Sequence, residues 1–178
     1  MDSSDAIQLV ILLVLLMLSA FFSSAETALT TVNKIRIRTL AEEGDKRAIR
    51  VLKITEDSGK MLSAVLIGNN IVNLSASSMA TLLATKLWGN AGAGLATGIL
   101  TLLILVFGEI SPKTLATIFA ENLSLAYSVI IYLLMKLLTP VIFIVNKLAL
   151  GFLLLLRIDP NSRNNTMTET ELRTIVDV

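Results

Sequence analysis

The chain has no cysteine and no histidine. Those absences exclude disulfides, thiol nucleophiles, thiolate zinc sites and an imidazole general base. Any metal site must then be built from oxygen, which favours hard cations such as magnesium or calcium. Neither sign of charge is in excess, with 15 Lys and Arg against 14 Asp and Glu. That balance points neither to nucleic acid nor to an acidic partner. No G-x-S-x-G stretch occurs, so a serine paired with Lys113 or Glu109 would lack the usual turn as well as the histidine base. An intramembrane hydrolase is set aside on that ground, and the chain reads as a non-enzyme.

What remains is apolar. Hydrophobic residues make up 54% of the 178, above the roughly 45–50% of ordinary soluble domains. A bilayer crossing takes about 20 residues, and three stretches qualify, at about 6–30, 61–85 and 91–120. The first carries Asp2 and Asp5 where a signal peptide would be basic, so it reads as a retained transmembrane helix. Between the first two spans, 33–60 holds eight Lys or Arg against five acids. An excess of cations marks the cytoplasmic side, which puts the N-terminus outside. Helical periodicity at Ile35, Leu40, Ile49 and Leu52, broken at Gly44, predicts a juxtamembrane helix pair over about 33–58.

The region 123–158 is too long for one span, and Lys136, Pro140, Asn146 and Lys147 interrupt it. Three crossings from an outside N-terminus leave the chain inside before Leu123. A kinked inner-leaflet belt helix or a shallow re-entrant hairpin then keeps both ends cytoplasmic, and is preferred to a true hairpin crossing. The polar tail 159–178 reads as a cytoplasmic linker towards a soluble domain. The expected fold is an all-α membrane protein, multi-pass, with three transmembrane helices, a juxtamembrane pair and an inner-leaflet belt.

The spans are not plain. Ser19, Ser23, Glu26, Thr30 and Asn33 recur at alternating spacings of four and three, a single polar stripe on the first helix. Ser63, Asn70, Asn73 and Ser77 form another on the second, and Glu109 and Lys113 close the third. Small hydroxylated residues are common at helix contacts in membranes, and Glu109 with Lys113 fits an ordinary i, i+4 pair. Ionisable groups at membrane depth nevertheless point to function, because their burial is costly. Pro112 lacks an N–H, which leaves the Gly108 carbonyl without its usual donor. A broken helix, a free carbonyl and a carboxylate are what a cation site in a transporter uses. Serine hydroxyls, asparagine amides, carbonyls and one carboxylate are also ligands that magnesium accepts.

The ordered set "SAETA" (24–28), "GNNIVN" (68–73) and "GEISPK" (108–113) resembles the membrane domain of the CorC / cyclin M (CNNM) magnesium transporters. The resemblance covers nearly the whole chain from about Asp5. It implies a homodimer in the plasma membrane, with three transmembrane helices per subunit and a cytoplasmic CBS-pair domain that binds ATP. It also implies magnesium transport, with export and sodium coupling as the family's proposed mode. On matching positions the cation site would use Ser19, Ser23, Gly68, Asn70 and Glu109, with Asn73 beside them. Gly108 and Pro112 would shape it, and Lys113 would be a structural partner or gate. Glu26 is left open as ligand, sodium-site residue or packing partner. A non-transporting magnesium sensor or regulator of other channels is the competing reading.

Overall fold

The computed structural model of the chain describes residues 3–156; the expected linker at 159–178 lies outside them. All regular structure among these residues is helical. Helix α1, Ser3–Thr31, is the longest unbroken apolar run and carries Asp5 in its first turn, where a carboxylate meets the positive end of the helix dipole. Asn33 then caps α2, Lys34–Glu42, accepting from the N–H groups of Ile35 and Arg36 at 3.0 and 3.2 Å. Gly44 turns the chain at φ +92°, a conformation that suits a residue without Cβ. Asp45 caps α3, Lys46–Glu56, accepting from the Arg47 N–H at 2.7 Å.

Side-chain and backbone hydrogen bonds from Arg47 hold the Asp45 carboxyl below the ordinary carboxylate range. A lowered folded pKa means that this contribution is present above the unfolded value of about 3.9 and is lost as pH falls through the folded one.

Helix α4 runs Ser58–Leu103 and kinks at Gly89, where φ is +71°. A π-helical segment, Ile104–Ile110, continues it, followed by α5, Ser111–Ile118, with Pro112 in its first turn. Helix α6, Ala120–Leu137, follows. Two compact units divide at Leu138. The second contains the apolar helix α7, Thr139–Leu155, with Pro140 in its first turn.

In the first unit α1 is the central strut, packed against α4, the π segment, α5 and α6. It buries Ala25, Ala28 and Leu29, while α4 buries Met61, Ala64, Val65, Val72 and Ala76. Lipid gives no hydrophobic drive between helices, so small residues that permit close contact carry the packing. At Gly68 a Cβ would stand 2.6 Å from the Phe22 ring. At the far end of α1, the buried Asp5 pairs with Lys86 just before the kink. Helix α6 lies along α3 and also meets α1. There the Phe21 and Tyr127 rings meet edge-on at 4.8 Å, and Arg36 reaches Glu121 at 3.5 Å.

Three described helices are long and apolar enough to cross a membrane: Asp5–Thr31, Gly92–Ile118 and Ala120–Leu137. From the sequence, 61–85 is a span and 123–158 a belt. The first arm of α4 is continuous helix over 61–85, but its asparagines and serines lower its hydropathy. The ionisable residues of α6, in contrast, sit only near its ends, at Glu121 and Lys136. The belt region is two helices, because the turn at Leu138 and Pro140 divides it.

The Gly68 contact is testable. Gly68→Ala should cost about 1–3 kcal/mol, as overpacking usually does, seen as a lower Tm in detergent. The penalty should shrink in a Phe22→Ala background, which makes room for the methyl group. An equal loss in both backgrounds would show that Phe22 is not the obstacle.

Candidate cation site

The hydroxyl side chains of α1 separate into two kinds. Ser24 donates to the Phe21 carbonyl at 3.0 Å and lies 3.3 Å from the Tyr127 hydroxyl. Thr30 donates to the carbonyls of Glu26 and Thr27. This back-bonding is the usual way that a helix absorbs hydroxyls. Ser19 and Ser23, 1% and 0% exposed, do otherwise. Each has a buried Oγ with no hydrogen-bond partner. The stripe therefore ends at Ser23: Thr30 is satisfied by its own helix, and Asn33 is the cap of α2.

On α4 the amide oxygens of Asn69 and Asn73 are likewise buried and unpartnered. Asn70, the expected ligand of this stretch, is exposed on the helix surface. Successive residues turn about 100° around a helix. The buried track of α4 runs through Val65, Gly68, Val72 and Ala76, which puts Asn69 and Asn73 at its edge and Asn70 beyond it. The i, i+4 spacing of Asn69 and Asn73 was the available signal, and it requires knowing which face is buried. Gly68 itself is the close approach to Phe22 described above.

The third wall is the π segment. A Cβ at Gly108 would stand 2.8 Å from Ser19 Oγ, so this glycine lets the segment lie directly on the serine. Pro112 does not break the helix as its chemistry alone suggests. In an α-helix the ring would clash with the carbonyl four residues back. Here the preceding turn widens, and the Ser111 N–H bonds the Val106 carbonyl five residues back. The proline then falls in the first turn of α5, where rings are tolerated. Single π turns of this kind are frequent at functional sites.

Glu109, within that turn, is half-buried and has no hydrogen-bond or ion-pair partner among the described residues. Lys113 does not hold it, although the two are spaced i, i+4. Its Nζ lies instead 3.4 Å from the Glu26 carboxylate, which fills one of the roles left open for Glu26. The lysine therefore ties α5 to α1, and the Glu109 charge is not neutralised by it.

The first unit offers two hydroxyl and two amide oxygens without hydrogen-bond partners on α1 and α4, and one carboxylate without an ion pair on the π segment that Gly108 brings against Ser19. A buried polar atom without a partner costs about 1–3 kcal/mol, so each of these four oxygens asks for a reason; a fifth such atom, Arg50 Nε, lies on α3. Neutral oxygens with a carboxylate suit a hard divalent cation. No three Asp or Glu side chains gather into a metal cluster among the described residues. The site is thus weakly anionic, which suits a cation that must leave again.

This fold and these polar helix faces define an all-α integral membrane protein. The chain belongs to the cyclin M family: it matches the cyclin M transmembrane N-terminal domain over residues 10–178. It is 40% identical over 167 residues to a UPF0053 protein of Haemophilus influenzae, covering 94% of this chain and 40% of that one. To the UPF0053 inner membrane protein YfjD of Escherichia coli it is 36% identical over 160 residues, covering 89% and 37%. A Haemophilus influenzae relative named polyamine export protein is 27% identical over 176 residues, covering 92% and 40%. The chain spans about two fifths of the length of these relatives. The family is one of membrane proteins, and one relative is named for export.

Neither end of the Lys113–Glu26 pair is enclosed by protein, at 44% and 40% exposure. A double-mutant cycle with Lys113→Gln and Glu26→Gln should therefore give a coupling below about 1 kcal/mol. A coupling above that, measured by denaturant unfolding, would mean that the pair is shielded in the membrane.

Proposed function

We propose that this domain carries magnesium ions across the plasma membrane, in the export direction and coupled to sodium. The ion would pass through the oxygen-lined site between α1, α4 and the π segment. One observation carries the reading. Ser19, Ser23, Asn69 and Asn73 present buried oxygens without partners, and the π segment that Gly108 brings against Ser19 carries a Glu109 carboxylate that Lys113 leaves uncompensated. Ser19, Ser23, Asn69, Asn73 and Glu109 would replace part of the ion's water shell. Gly68 and Gly108 would supply close backbone. Asn70, exposed on this subunit, is kept as a peripheral ligand or a contact at the subunit interface of a homodimer.

In this reading α1, the first arm of α4, and its second arm with α5 cross the bilayer, while α6 and α7 form the inner-leaflet belt. The packing of α6 along the charged helix α3 supports that placement. The longer protein would add a CBS-pair domain through which ATP regulates transport.

The test is magnesium flux in proteoliposomes. Removing even an indirect metal partner commonly costs about 10–100-fold in affinity. Glu109→Gln, Ser23→Ala and Asn73→Ala should each lower flux by at least about tenfold with helical content retained, and Asn70→Ala by less. Undiminished flux in all of them would sink the site. Magnesium binding without any flux would favour a sensor, and flux of spermidine in place of magnesium would assign the organic cation named for the polyamine-exporting relative.

A further inference from the structure

Away from the transport site, one cavity combines unpaired cations with uncovered apolar surface. It has a volume of 450 Å³, lies between α2 and α3, and is lined by Lys34, Ile35, Arg38, Leu52, Thr55 and Glu56. Lys34 and Arg38 are one turn apart on α2, so both charges stand on the same wall. Neither makes an ion pair among the described residues, unlike their neighbours Arg36 and Arg47, which meet Glu121 and Asp45. Between them Ile35 is 80% exposed, an unfavourable position for an apolar side chain in water. Helix α2 begins three residues after Thr31, where the first membrane-length helix ends. The cavity therefore lies at the bilayer boundary, on the cytoplasmic side by the distribution of positive charge.

We infer that this cavity binds the phosphate of an anionic phospholipid of the inner leaflet. Lys34 and Arg38 meet the phosphate, and Ile35 enters the boundary between headgroups and acyl chains, with Leu52 as the apolar floor. Cations beside exposed apolar residues are how interfacial helices recognise anionic lipid. A free phosphate shares the anion chemistry but leaves Ile35 and Leu52 without a role. The Glu56 carboxylate sets the charge preference. Two cations and one acid leave a single net positive charge, which matches a singly charged phosphodiester such as phosphatidylglycerol better than a phosphomonoester.

Native mass spectrometry of the purified protein, with phosphatidylglycerol, phosphatidylcholine and soluble glycerophosphoglycerol as probes, tests this. Phosphatidylglycerol should be retained in preference to phosphatidylcholine, and the soluble headgroup should bind at least about tenfold more weakly. The double variant Lys34→Gln, Arg38→Gln should weaken phosphatidylglycerol binding at least about tenfold, and Ile35→Gln should also weaken it. A charge-matched control on the same hairpin, Lys46→Gln with Lys53→Gln, should leave binding in place. An equal loss in that control would reduce the effect to diffuse charge and overturn the site. Equal binding of both lipids would do the same, and a soluble headgroup that binds as tightly as the lipid would assign free phosphate. Circular dichroism of each variant establishes that helicity is kept.

Discussion

Everything in the first unit depends on how closely other elements approach α1. Within lipid no water is released when helices meet, so contact must be won by shape. Two glycines make it possible. At Gly68 the missing Cβ is replaced by the Phe22 ring, and at Gly108 by the Ser19 hydroxyl. Phe22 and Ser19 are three residues apart on α1, so the two glycines meet neighbouring positions of that helix. Ser19 and Ser23 are buried as a result, and their oxygens are cut off from the lipid as well as from their own helix. A methyl group at either glycine would push the walls apart before any question of ligand chemistry arose.

The electrostatics follow from the same packing. A π turn shifts the hydrogen-bond register by one residue, so the approach to Pro112 is widened and α5 begins from a new angle. Lys113 is thereby directed at Glu26 on α1, and Glu109 keeps its charge. At the opposite end of α1, Asp5 and Lys86 fasten the start of α1 to the end of the first arm of α4. An ion pair thus braces each flank of the site, and the carboxylate between them is free to act on something else.

Much of this was legible along the chain. Apolar length marked α1 and the run into α5, and Gly44 marked the turn of the α2–α3 hairpin; Asn33, read along the chain as the end of the polar stripe, is the cap of α2. Glycine at a left-handed turn and Asn or Asp at a helix start are local chemistry, which neighbours rarely override. The motif set was legible too, and membership of the cyclin M family agrees with it. Less legible was which asparagine matters. "GNNIVN" offers three, and choosing among them needs the phase of α4 relative to α1, a relation between helices that no single segment contains. The i, i+4 spacing of Glu109 and Lys113 was similarly persuasive and misleading, because a lysine has enough reach to prefer a carboxylate on another helix.

The sequence alone determined the solvent and the chemistry: a membrane, oxygen ligands only, and one carboxylate near a proline. Those are properties of composition and of short-range spacing, and they hold whatever the partners. The tertiary structure alone decided which oxygens are stranded. Ser19 and Ser24 are five residues apart on the same helix, and one is satisfied while the other is not. Ser24 turns back to the Phe21 carbonyl with the Tyr127 hydroxyl of α6 beside it, whereas Ser19 makes no such bond and faces a glycine of the π segment.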